Sequence, residues 1–570
     1  MFSDGFPSPR QDESSGEPRS LRVGVVRRVP GTVFPAWQAR CLRDLLDLDE
    51  VEVVLLVSDE RTIGRGPSEV RRSPAPRQGG LLWGAYNDVW IRRRSQAIRP
   101  VALTDSLVGV PDVCLQNIDA IRAADLDVML DLGCRPIPDE IAGMARHGLW
   151  SFRFGEPGTP RDGAAGLWET YRGDAVTQAA LERLPAPGAP GTLLYQGYFK
   201  TVRYSFPRHR DAVLFGVANW PAWACKRILT GADLVPNPPD TPLTPRFQAD
   251  TVPTNRQMIH LLGMTAWRFA AAACAALLRR DEWNVGIAEA PIDAFLQPGA
   301  RPRIRWLPRA REGTFLADPF VAGHGDATAV MVEEFDIRTG KGRIAALAVQ
   351  HGGHLAPPEP AIEASVHLSY PYPIEYAGQT YCIPEMHQSG EVCLYRATVF
   401  PGEWVRCAVL IAGMAAADAT VFLHEGRWWL FCSDEADYPN TTLHAWYAAE
   451  LHGPWTPHSA NPLKTDVRSS RPAGTPFLHG DRLYRPAQDC SQTYGGAIVI
   501  CHVQRLTPTE FVEEPVARVA PDRRGPYPHG LHTLSAWGQR TLIDGKRRRF
   551  IPWASCWRLR SGVAWPGGCG

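Results

Sequence analysis

The sequence has little lysine and no excess of charge of either sign. Its 570 residues include 61 Lys and Arg against 60 Asp and Glu, which leaves a formal net charge of +1. Lysine occurs at Lys200, Lys226, Lys341, Lys464 and Lys546, and every other basic side chain apart from histidine is arginine. This balance gives no overall electrostatic basis for binding nucleic acid or an anionic membrane. We therefore expect no nucleic-acid partner.

Metal-binding cysteine pairs and a dinucleotide-binding motif are also missing. The 13 Cys are scattered without a CxxC pair, which is typical of reduced thiols in a cytoplasmic protein. No GxGxxG follows the first apolar run of the chain. His324 and the HGGH segment at 351–354 have no spacing typical of metal ligands. The sequence thus predicts neither a metal nor a cofactor.

Long hydrophobic runs are rare. Residues 1–20 contain no apolar stretch and predict a disordered tail. The segment Gln257–Leu278 is long enough to cross a membrane, but His260, Gly263 and the central Arg268 make insertion costly. We therefore predict a buried or amphipathic helix at this place, no membrane span and a cytoplasmic location.

Length and composition favour a multidomain globular protein. The chain is too long for one ordinary core, and 44% hydrophobic residues exclude wholesale disorder. Continuous apolar runs at 21–26, 51–59 and 127–133 alternate with segments of helical spacing at 36–46 and 120–126. A strand–helix–strand order of this kind predicts a parallel, doubly wound α/β domain, which we assign to 21–205. Residues 206–282 are predicted to be a linker with a helix at 254–280.

A repeated glycine turn marks the second half. The turns are centred on Gly325, Gly378, Gly426, Gly480 and Gly538, at intervals of 53, 48, 54 and 58 residues. A period of this length with short strands predicts propeller blades, here an all-β five-bladed propeller over 283–555 followed by a tail at 556–570.

Acidic residues recur at one face of this predicted propeller. In an antiparallel hairpin, residues shortly before and shortly after the turn lie at the same edge. These positions hold Asp318, Pro371, Asp418, Gly474 and His532 before the turns, and Glu333, Glu334, Glu385, Asp434, Glu435, Asp489 and Asp544 after them. We therefore predict a carboxylate-lined pocket where the innermost strands converge.

The first half resembles the N-terminal domain of formyltransferases such as the methionyl-tRNA and sugar N-formyltransferases. Residues 125–158 carry the resemblance, which extends over about 20–205. In that family an Asn and a His on a motif strand, with a downstream Asp, carry formyl transfer. This chain has Ser151, Phe152, Arg153 and Phe154 at the motif position. The resemblance implies a degenerate and inactive formyltransferase-like fold.

The second half resembles the five-bladed propellers of arabinanase-, xylosidase- and levansucrase-type glycoside hydrolases. It is more similar still to the N-terminal region of plant glucosamine inositolphosphorylceramide transferases and their bacterial relatives. The segments that carry the resemblance are ADPF at 317–320, SYPYPIEYAGQTYCIPE at 369–385, DATVFLHEGRWWLFCSDE at 418–435, RPAGTPFLHGDRLYRPAQDCSQTYGGAI at 471–498 and PHGLHTLSAWGQRTLIDGKRRRF at 528–550. In the plant proteins a glycosyltransferase domain follows this region.

The resemblance to the hydrolases implies three catalytic carboxylates. Asp318 matches the base or nucleophile, and Asp418 matches the aspartate that orients the sugar and tunes the pKa of its neighbour. Glu385 is the candidate general acid, with Asp489 or Glu435 as substitutes. One ionised and one protonated carboxyl group are what glycoside chemistry requires.

Further residues are implied in substrate binding. His532 resembles an axial histidine that holds water or a cation in some of these propellers. The other candidates are Arg471 and Arg485 for hydroxyls or an acidic substituent, Asp489, His529, and the rings of Trp428, Trp429 and Tyr372 for sugar stacking. At least one of the two adjacent tryptophans is expected to lie between blades instead.

The sequence thus predicts a carbohydrate-active enzyme that cleaves or transfers a glycosyl unit on a carbohydrate or glycoconjugate. Two alternatives remain open. One is an amino-sugar N-formyltransferase, which would use formyl-tetrahydrofolate. The other is a non-catalytic sugar-binding propeller. The sugar, the linkage and the oligomeric state are not predicted.

Overall fold

The computed structural model describes residues 20–28, 30–58, 80–133, 137–156, 164–185, 191–231, 252–324, 327–350, 353–436 and 438–550. The predicted tails lie outside these residues, apart from residue 20. The described cysteines form no disulfide with one another, and most of them are buried.

The first half contains a sheet of seven strands. The strands of this half are β1 (Leu21–Arg27), β2 (Val33–Pro35), β3 (Val51–Ser58), β4 (Pro100–Ala102), β5 (Asp112–Cys114), β6 (Val128–Asp131), β7 (Leu149–Phe154), β8 (Val176–Arg183) and β9 (Thr192–Lys200). The sheet runs in the order β5-β3-β1-β6-β7-β8-β9, while β2 and β4 pair separately. The first five strands are parallel, and β8 and β9 are antiparallel additions.

Helices cover both faces of this sheet. They are α1 (Ala36–Leu46), α2 (Leu81–Ala85), a π-helical turn (Tyr86–Ile91), α3 (Arg92–Arg94), α4 (Ile118–Ala123), α5 (Asp139–Ala142), α6 (Leu167–Arg172), α7 (Phe206–Gly216), α8 (Trp220–Leu229) and α9 (Asn255–Leu278). One core joins Val23 and Val25 of β1 to Trp37 of α1, and a second core on the opposite face joins Val26 to Ile121 of α4. The parallel strands carry near-continuous apolar runs because both of their faces are buried.

The predicted linker is wrong at its start. Val213 of α7 and Trp220 of α8 are fully buried in the core that α1 shares, so the region after residue 206 belongs to the α/β half. The sequence did not predict this packing because α7 and α8 lie more than 150 residues after α1 along the chain. Whether this half is formyltransferase-like stays a prediction.

Of the two alternatives predicted for the apolar helix, buried or amphipathic, the buried one is wrong. Only Met258 and Leu261 of α9 are buried, and 6% of its most apolar 18-residue window is buried. Among the described residues α9 is the one helix that is long and apolar enough to cross a membrane by length and composition alone. Its first turn is fixed by a capping box between Thr254 and Gln257.

The second half consists of antiparallel four-stranded units. Its strands are β10 (Arg279–Ala288), β11 (Ile304–Trp306), β12 (Thr314–His324), β13 (Ala327–Asp336), β14 (Lys341–Ala348), β15 (Glu359–Ile362), β16 (Ser369–Tyr376), β17 (Gln379–Glu385), β18 (Glu391–Val399), β19 (Glu403–Ala412), β20 (Ala416–His424), β21 (Arg427–Asp434), β22 (Thr442–Ala448), β23 (Thr456–Pro457), β24 (Lys464–Asp466), β25 (Phe477–His479), β26 (Arg482–Asp489), β27 (Ala497–Leu506), β28 (Phe511–Val519), β29 (Leu534–Trp537) and β30 (Arg540–Phe550). Short 3₁₀ turns lie at Ile292–Leu296 and His387–Ser389.

Four of these units are separate sheets: β12–β15, β16–β19, β25–β28, and β11-β10-β30-β29. The last unit joins the two ends of the half, because β10 pairs with β30 along ten residues. Strands β20 to β23 form another antiparallel set, but β22 also pairs with β24, which pairs in parallel with β9. The propeller-like all-β architecture is therefore confirmed. The count of five blades stays a prediction because this set is merged with the α/β sheet.

The first strands of successive units share a backbone feature. Asp318, Tyr370 and Asp418 have positive φ of 48°, 41° and 52°, and the strand register shifts around each of them. Gly474, just before β25, has φ of 123°. A non-glycine residue in this region is strained by about 1–3 kcal/mol. Each bulge inserts one residue, so the side chain at this position leaves the regular alternation of the strand.

Candidate active site

The candidate site lies where the bulges of β12, β16 and β20 meet the segments before β25 and β29. It contains Asp318, Asp418, Glu385 at the end of β17, Arg471 and His532, all at most 5% exposed. The structure therefore brings together all three predicted catalytic carboxylates and two of the predicted binding residues. Asp544 of β30 joins them and is fully buried.

One part of the site is an Asp–His–Asp group. His532 Nδ1 forms an ion pair with Asp544, and its Nε2 lies 3.7 Å from Asp318 Oδ1. The imidazole stacks on Trp283 with ring centroids 3.9 Å apart. Asp318 Oδ1 also accepts a hydrogen bond from the Thr533 hydroxyl at 2.7 Å. The histidine thus bridges two carboxylates in a fixed orientation.

The second part of the site is centred on a guanidinium group. Arg471 Nε donates to Asp418 Oδ2 at 2.5 Å, and its Nη2 donates to Glu385 Oε2 at 3.2 Å. Nη1 pairs with Glu435 and also donates to Asn440 Oδ1 at 3.1 Å. One cation therefore contacts three carboxylates.

Tyr370 connects the two parts. Its backbone N–H donates to Asp318 Oδ2 at 3.3 Å, and its hydroxyl lies 2.9 Å from the Thr420 hydroxyl, two residues beyond Asp418. The same hydroxyl accepts a hydrogen bond of 2.7 Å from the N–H of Gly474. Four units are thus tied together beside the carboxylates.

Two of the carboxylates cap the bulge of the following unit. Glu385 Oε2 accepts the backbone N–H of Asp418 at 3.0 Å, and Asp544 Oδ2 accepts the backbone N–H of Asp318 at 3.4 Å. Each cap comes from the end of a second strand, and each capped residue has a positive φ. Glu385 and Asp544 therefore have an evident architectural task, whereas Asp318 and Asp418 are the capped residues.

The electrostatics divide the carboxyl groups into two kinds. Burial opposes ionisation of Glu385, but the hydrogen bond from His387 at 2.9 Å and the charge of Arg471 outweigh it and hold its pKa below the usual range. Burial raises the pKa of Asp418 despite the opposing charge of Arg471. The ionised form is therefore favoured at Glu385 and the protonated form at Asp418, and the identity of the general acid stays a prediction.

In the Asp–His–Asp group, burial raises the pKa of Asp318, while the charge of His532 opposes this rise. Burial disfavours the charged imidazole, but Asp544 and Asp318 outweigh it and raise the pKa of His532. A cationic His532 beside Asp318 favours the ionised form of that carboxylate. The group is suited to hold Asp318 ready as a base or nucleophile.

Sequence reasoning gave Glu333 no role. Its pKa is raised well above the ordinary value, first by burial and then by the charges of Asp318, Glu385 and Asp418. Its Oε1 lies 3.6 Å from His367 Nε2. Its place after the turn, equivalent to Glu385, was the available signal. No such signal marked Tyr370. The sequence pattern pointed to Pro371, whereas the residue of this strand that corresponds to Asp318 and Asp418 by its positive φ is Tyr370.

The same three side chains have a spacing that could hold a cation. Asp318, His532 and Asp544 each offer one ligand atom, and these atoms lie within 4.8 Å of one another. A cation bound here would replace the ion pair between His532 and Asp544.

Two predicted binding residues are occupied by internal ion pairs. Arg485 is 1% exposed and donates to Glu513 at 2.7 and 3.0 Å, as well as to the carbonyls of Ser469 and Ser470. Asp489 pairs with Arg518 at 3.1 Å. Both side chains therefore support the β26 region. Glu435 pairs with Arg471. The roles of Asp489 and Glu435 as substitute acids stay predictions.

The predicted stacking rings lie in cores. Trp428 and Tyr372 share one buried cluster, and Trp429 belongs to another with Phe431. Because β21 alternates its faces, the two tryptophans enter opposite cores. None of these rings is therefore open for sugar stacking. His529 is exposed, and its Nδ1 accepts the N–H of Arg548 at 3.2 Å.

A cavity of about 560 Å³ opens beside the first unit, not over the carboxylates. It is lined by Arg311, Glu312, Thr314, Glu334, Asp336, Arg338, Thr339, Lys341, Gly342, Arg343, Glu363 and Ala364. Its charged side chains pair with one another, as Arg343 does with Glu334 and Glu363. The carboxylate residues of the cluster are themselves at most 5% exposed.

Comparison with known proteins matches a part of the chain that includes Asp318, Glu385, Asp418 and Arg471 but ends before His532 and Asp544. Residues 308–525 match the family model described as "Glucosamine inositolphosphorylceramide transferase 1, N-terminal". The rice (Oryza sativa subsp. japonica) protein named glucosamine inositolphosphorylceramide transferase 1 is 36% identical over 208 residues, and the Arabidopsis thaliana protein is 35% identical over 205. These matches cover 35% of this chain and only 28% and 27% of the two plant proteins.

Similar solved structures are carbohydrate-active proteins. The catalytic domain of a GH62 α-L-arabinofuranosidase from Coprinopsis cinerea is 13% identical with a TM-score of 0.32, over 43% of this chain and 83% of that one. A family 117 glycoside hydrolase produced by Zobellia galactanivorans is 12% identical with a TM-score of 0.31, over 47% and 90%. TM-scores this low carry no argument about this protein. The evidence for its propeller-like fold is the pairing of its strands into antiparallel four-stranded units.

Proposed function

We propose that this protein is a carbohydrate-active enzyme that cleaves or transfers a glycosyl unit of a carbohydrate or glycoconjugate at the Asp318–Asp418 cluster. The observation that carries the proposal is the pairing of two bulge aspartates with different partners, a cationic histidine at Asp318 and a shared guanidinium at Asp418. Environments that push two carboxyl groups apart in protonation are what acid–base glycoside chemistry needs. The matched relatives are named glucosamine inositolphosphorylceramide transferase 1, and this name supports a carbohydrate or glycoconjugate as the substrate class.

In this proposal Asp318 is the base or nucleophile. The ionised form is favoured by His532, by the Thr533 hydroxyl and by the N–H of Tyr370. The general acid is Asp418. Burial and the charge of Glu385 raise the pKa of Asp418 and favour its protonated form, although the charge of Arg471 opposes this rise. Glu385 is a positioning residue that holds the bulge of Asp418.

A non-catalytic sugar-binding propeller is the second candidate. It is favoured by the low exposure of the cluster and by the position of the cavity beside β12 and β13. We propose five blades for either function, with β20–β23 as the third. An active amino-sugar formyltransferase has no comparable support, because Ser151 bonds to Asp131 and Arg153 to Glu182 inside the sheet.

The test is turnover by the full chain in a screen of aryl glycosides and activated sugar donors. Asp318→Asn and Asp418→Asn should each lower turnover by at least about a hundredfold, since each removes an acid–base group. Asp481→Asn, an exposed carboxyl group in the turn before β26, is the matched control and should keep full activity. Full activity of both site variants would refute catalysis at this cluster, and glycan binding without any turnover would favour the second candidate.

A further inference from the structure

Helix α9 leaves an unusual amount of apolar surface exposed. Over its 24 residues it has no Asp or Glu, and its exposed large side chains are Ile259, Leu262, Trp267, Phe269 and Leu277, each between 39% and 66% exposed. At 1.5 Å per residue the helix is about 36 Å long. Soluble monomers rarely leave so large a continuous apolar surface without a partner.

The exposed surface extends onto the neighbouring helical segment 81–94. The start of this segment is fixed to α9 by hydrogen bonds from Gly80 N to Pro253 O at 3.2 Å and from Leu82 N to Asn255 Oδ1 at 3.0 Å. Leu81, Val89 and Trp90 are 73%, 53% and 50% exposed. The apolar surface therefore combines two elements that are held together.

Basic side chains surround this surface. Arg92, Arg93 and Arg94 end the segment 81–94, and Arg256 and Arg279 lie at the two ends of α9, all of them exposed. Arg94 also lies 4.8 Å over the ring of Trp90. Trp, Phe and Leu beside exposed arginines are the composition of helices that lie in the interface of anionic bilayers. The charge of the whole chain is close to zero, so this is a local feature.

The topology argues against a helix that crosses the bilayer. α9 leads directly into β10, yet the α/β half and the propeller-like half are joined by the pairing of β9 with β24 and by the hydrogen bond of 3.1 Å from Arg203 to Gln492. A spanning helix would put its two ends on opposite sides of a hydrocarbon layer about 30 Å thick. In addition, Arg268 at mid-helix donates to the carbonyl of Thr170 at 2.7 Å.

The exposure pattern favours lipid over a protein partner. In the last part of the helix, residues 269–272, 274, 276 and 277 are all exposed, and these positions point in every direction around the axis. A protein partner covers one face of a helix, and such a contact would leave the other apolar side chains of α9 in water. A helix that is apolar all round is typical of a buried or membrane environment.

We propose that α9, with the segment 81–94, docks this protein on the surface of an anionic lipid bilayer without crossing it. The proposal is independent of the chemistry at Asp318 and Asp418. It implies that the propeller-like half works beside a membrane.

The test is co-sedimentation of the full chain with phosphatidylcholine vesicles with and without phosphatidylglycerol. The wild type should bind the anionic vesicles at least severalfold better. Ile259→Glu/Trp267→Glu should reduce binding at least tenfold. Both side chains are exposed, so the fold should persist. Leu478→Glu, at an equally exposed leucine on β25, is the matched control and should bind like the wild type.

Four results would overturn the proposal. The first is no binding of the wild type to either vesicle, and the second is equal binding of the double variant. The third is a dimer that the double variant dissociates, with no vesicle binding, because α9 would then be an interface between copies of this chain. Resistance of the membrane-bound protein to alkaline carbonate extraction would contradict the peripheral position and indicate a span.

Discussion

Replacing Arg471 by Met tests the charge arrangement of the candidate site. The side chains of Arg471, Glu385 and Asp418 are each at most 5% exposed. The substitution keeps an unbranched side chain at position 471 while it removes the cation. Breaking a buried ion pair from one side costs about 3–5 kcal/mol because the remaining charge is left without compensation. We therefore expect the free energy of unfolding at pH 7 to fall by about that amount.

The loss should depend on pH. In the wild type the pKa of Glu385 lies below its unfolded value, so its stabilising contribution is present above the unfolded value of about 4.3 and disappears in acid. In the variant, Asp418 is buried without Arg471 beside it, while Glu385 keeps His387, so ionisation of Asp418 near neutrality destabilises the fold. Both effects make the difference between the two proteins largest at pH 7 and smaller at pH 4.

The assay is urea unfolding followed by tryptophan fluorescence at both pH values. Arg406→Met is the matched control, since Arg406 pairs with Glu391 at 2.8 Å but the two side chains are 43% and 34% exposed. Such a surface pair contributes at most about 1 kcal/mol. Equal losses for the two variants, or a loss for Arg471→Met that is the same at pH 4 and pH 7, would refute the proposed charge arrangement.

Two further predictions concern the axis of the propeller-like half. The pKa of His532 is raised, so its stabilising contribution is complete below the unfolded value of about 6.5 and is lost as pH rises through the folded value. In urea unfolding, His532→Gln should therefore lower the free energy of unfolding more at pH 6 than at pH 9. An equal loss of free energy at the two pH values would contradict this. Gly474→Ala should lower the melting temperature far more than Gly378→Ala. Both glycines have positive φ, but a Cβ at 474 would lie 1.9 Å from the carbonyl oxygen of Leu534, whereas one at 378 meets nothing within 4 Å. Equal decreases of the melting temperature in the two variants would mean that Gly474 does not pack as closely against Leu534 as the structure shows.

The repeat of the second half could be predicted because its turns follow local rules. Glycines at Gly378, Gly426, Gly480 and Gly538 all adopt positive φ in tight hairpins, and Gly325 lies outside the described residues. Strand pairing then brings residues before and after each turn to one edge, as in the pair Ser369–Glu385. Asp318 and Asp418 could be singled out on this basis.

The roles of individual side chains could not be predicted in the same way. The bulges displace the alternation by one residue, which puts Tyr370 rather than Pro371 at the axis. The partners of Arg471 and Arg485 lie on other strands, so the sequence did not distinguish a site arginine from a structural one. The exposure of α9 was also hidden, because a helix that is apolar on all sides carries no periodic signal of which face is buried.

The central claim is that sugar chemistry takes place between Asp318 and Asp418. Its most direct test is a crystal structure of the Asp418→Asn variant with a glycan identified in the turnover screen. We predict a sugar ring within hydrogen-bond distance of the Asp318 carboxylate and of the amide side chain that replaces the acid at position 418. A sugar bound instead in the cavity beside Thr314 and Glu334, with the cluster closed, would contradict the account.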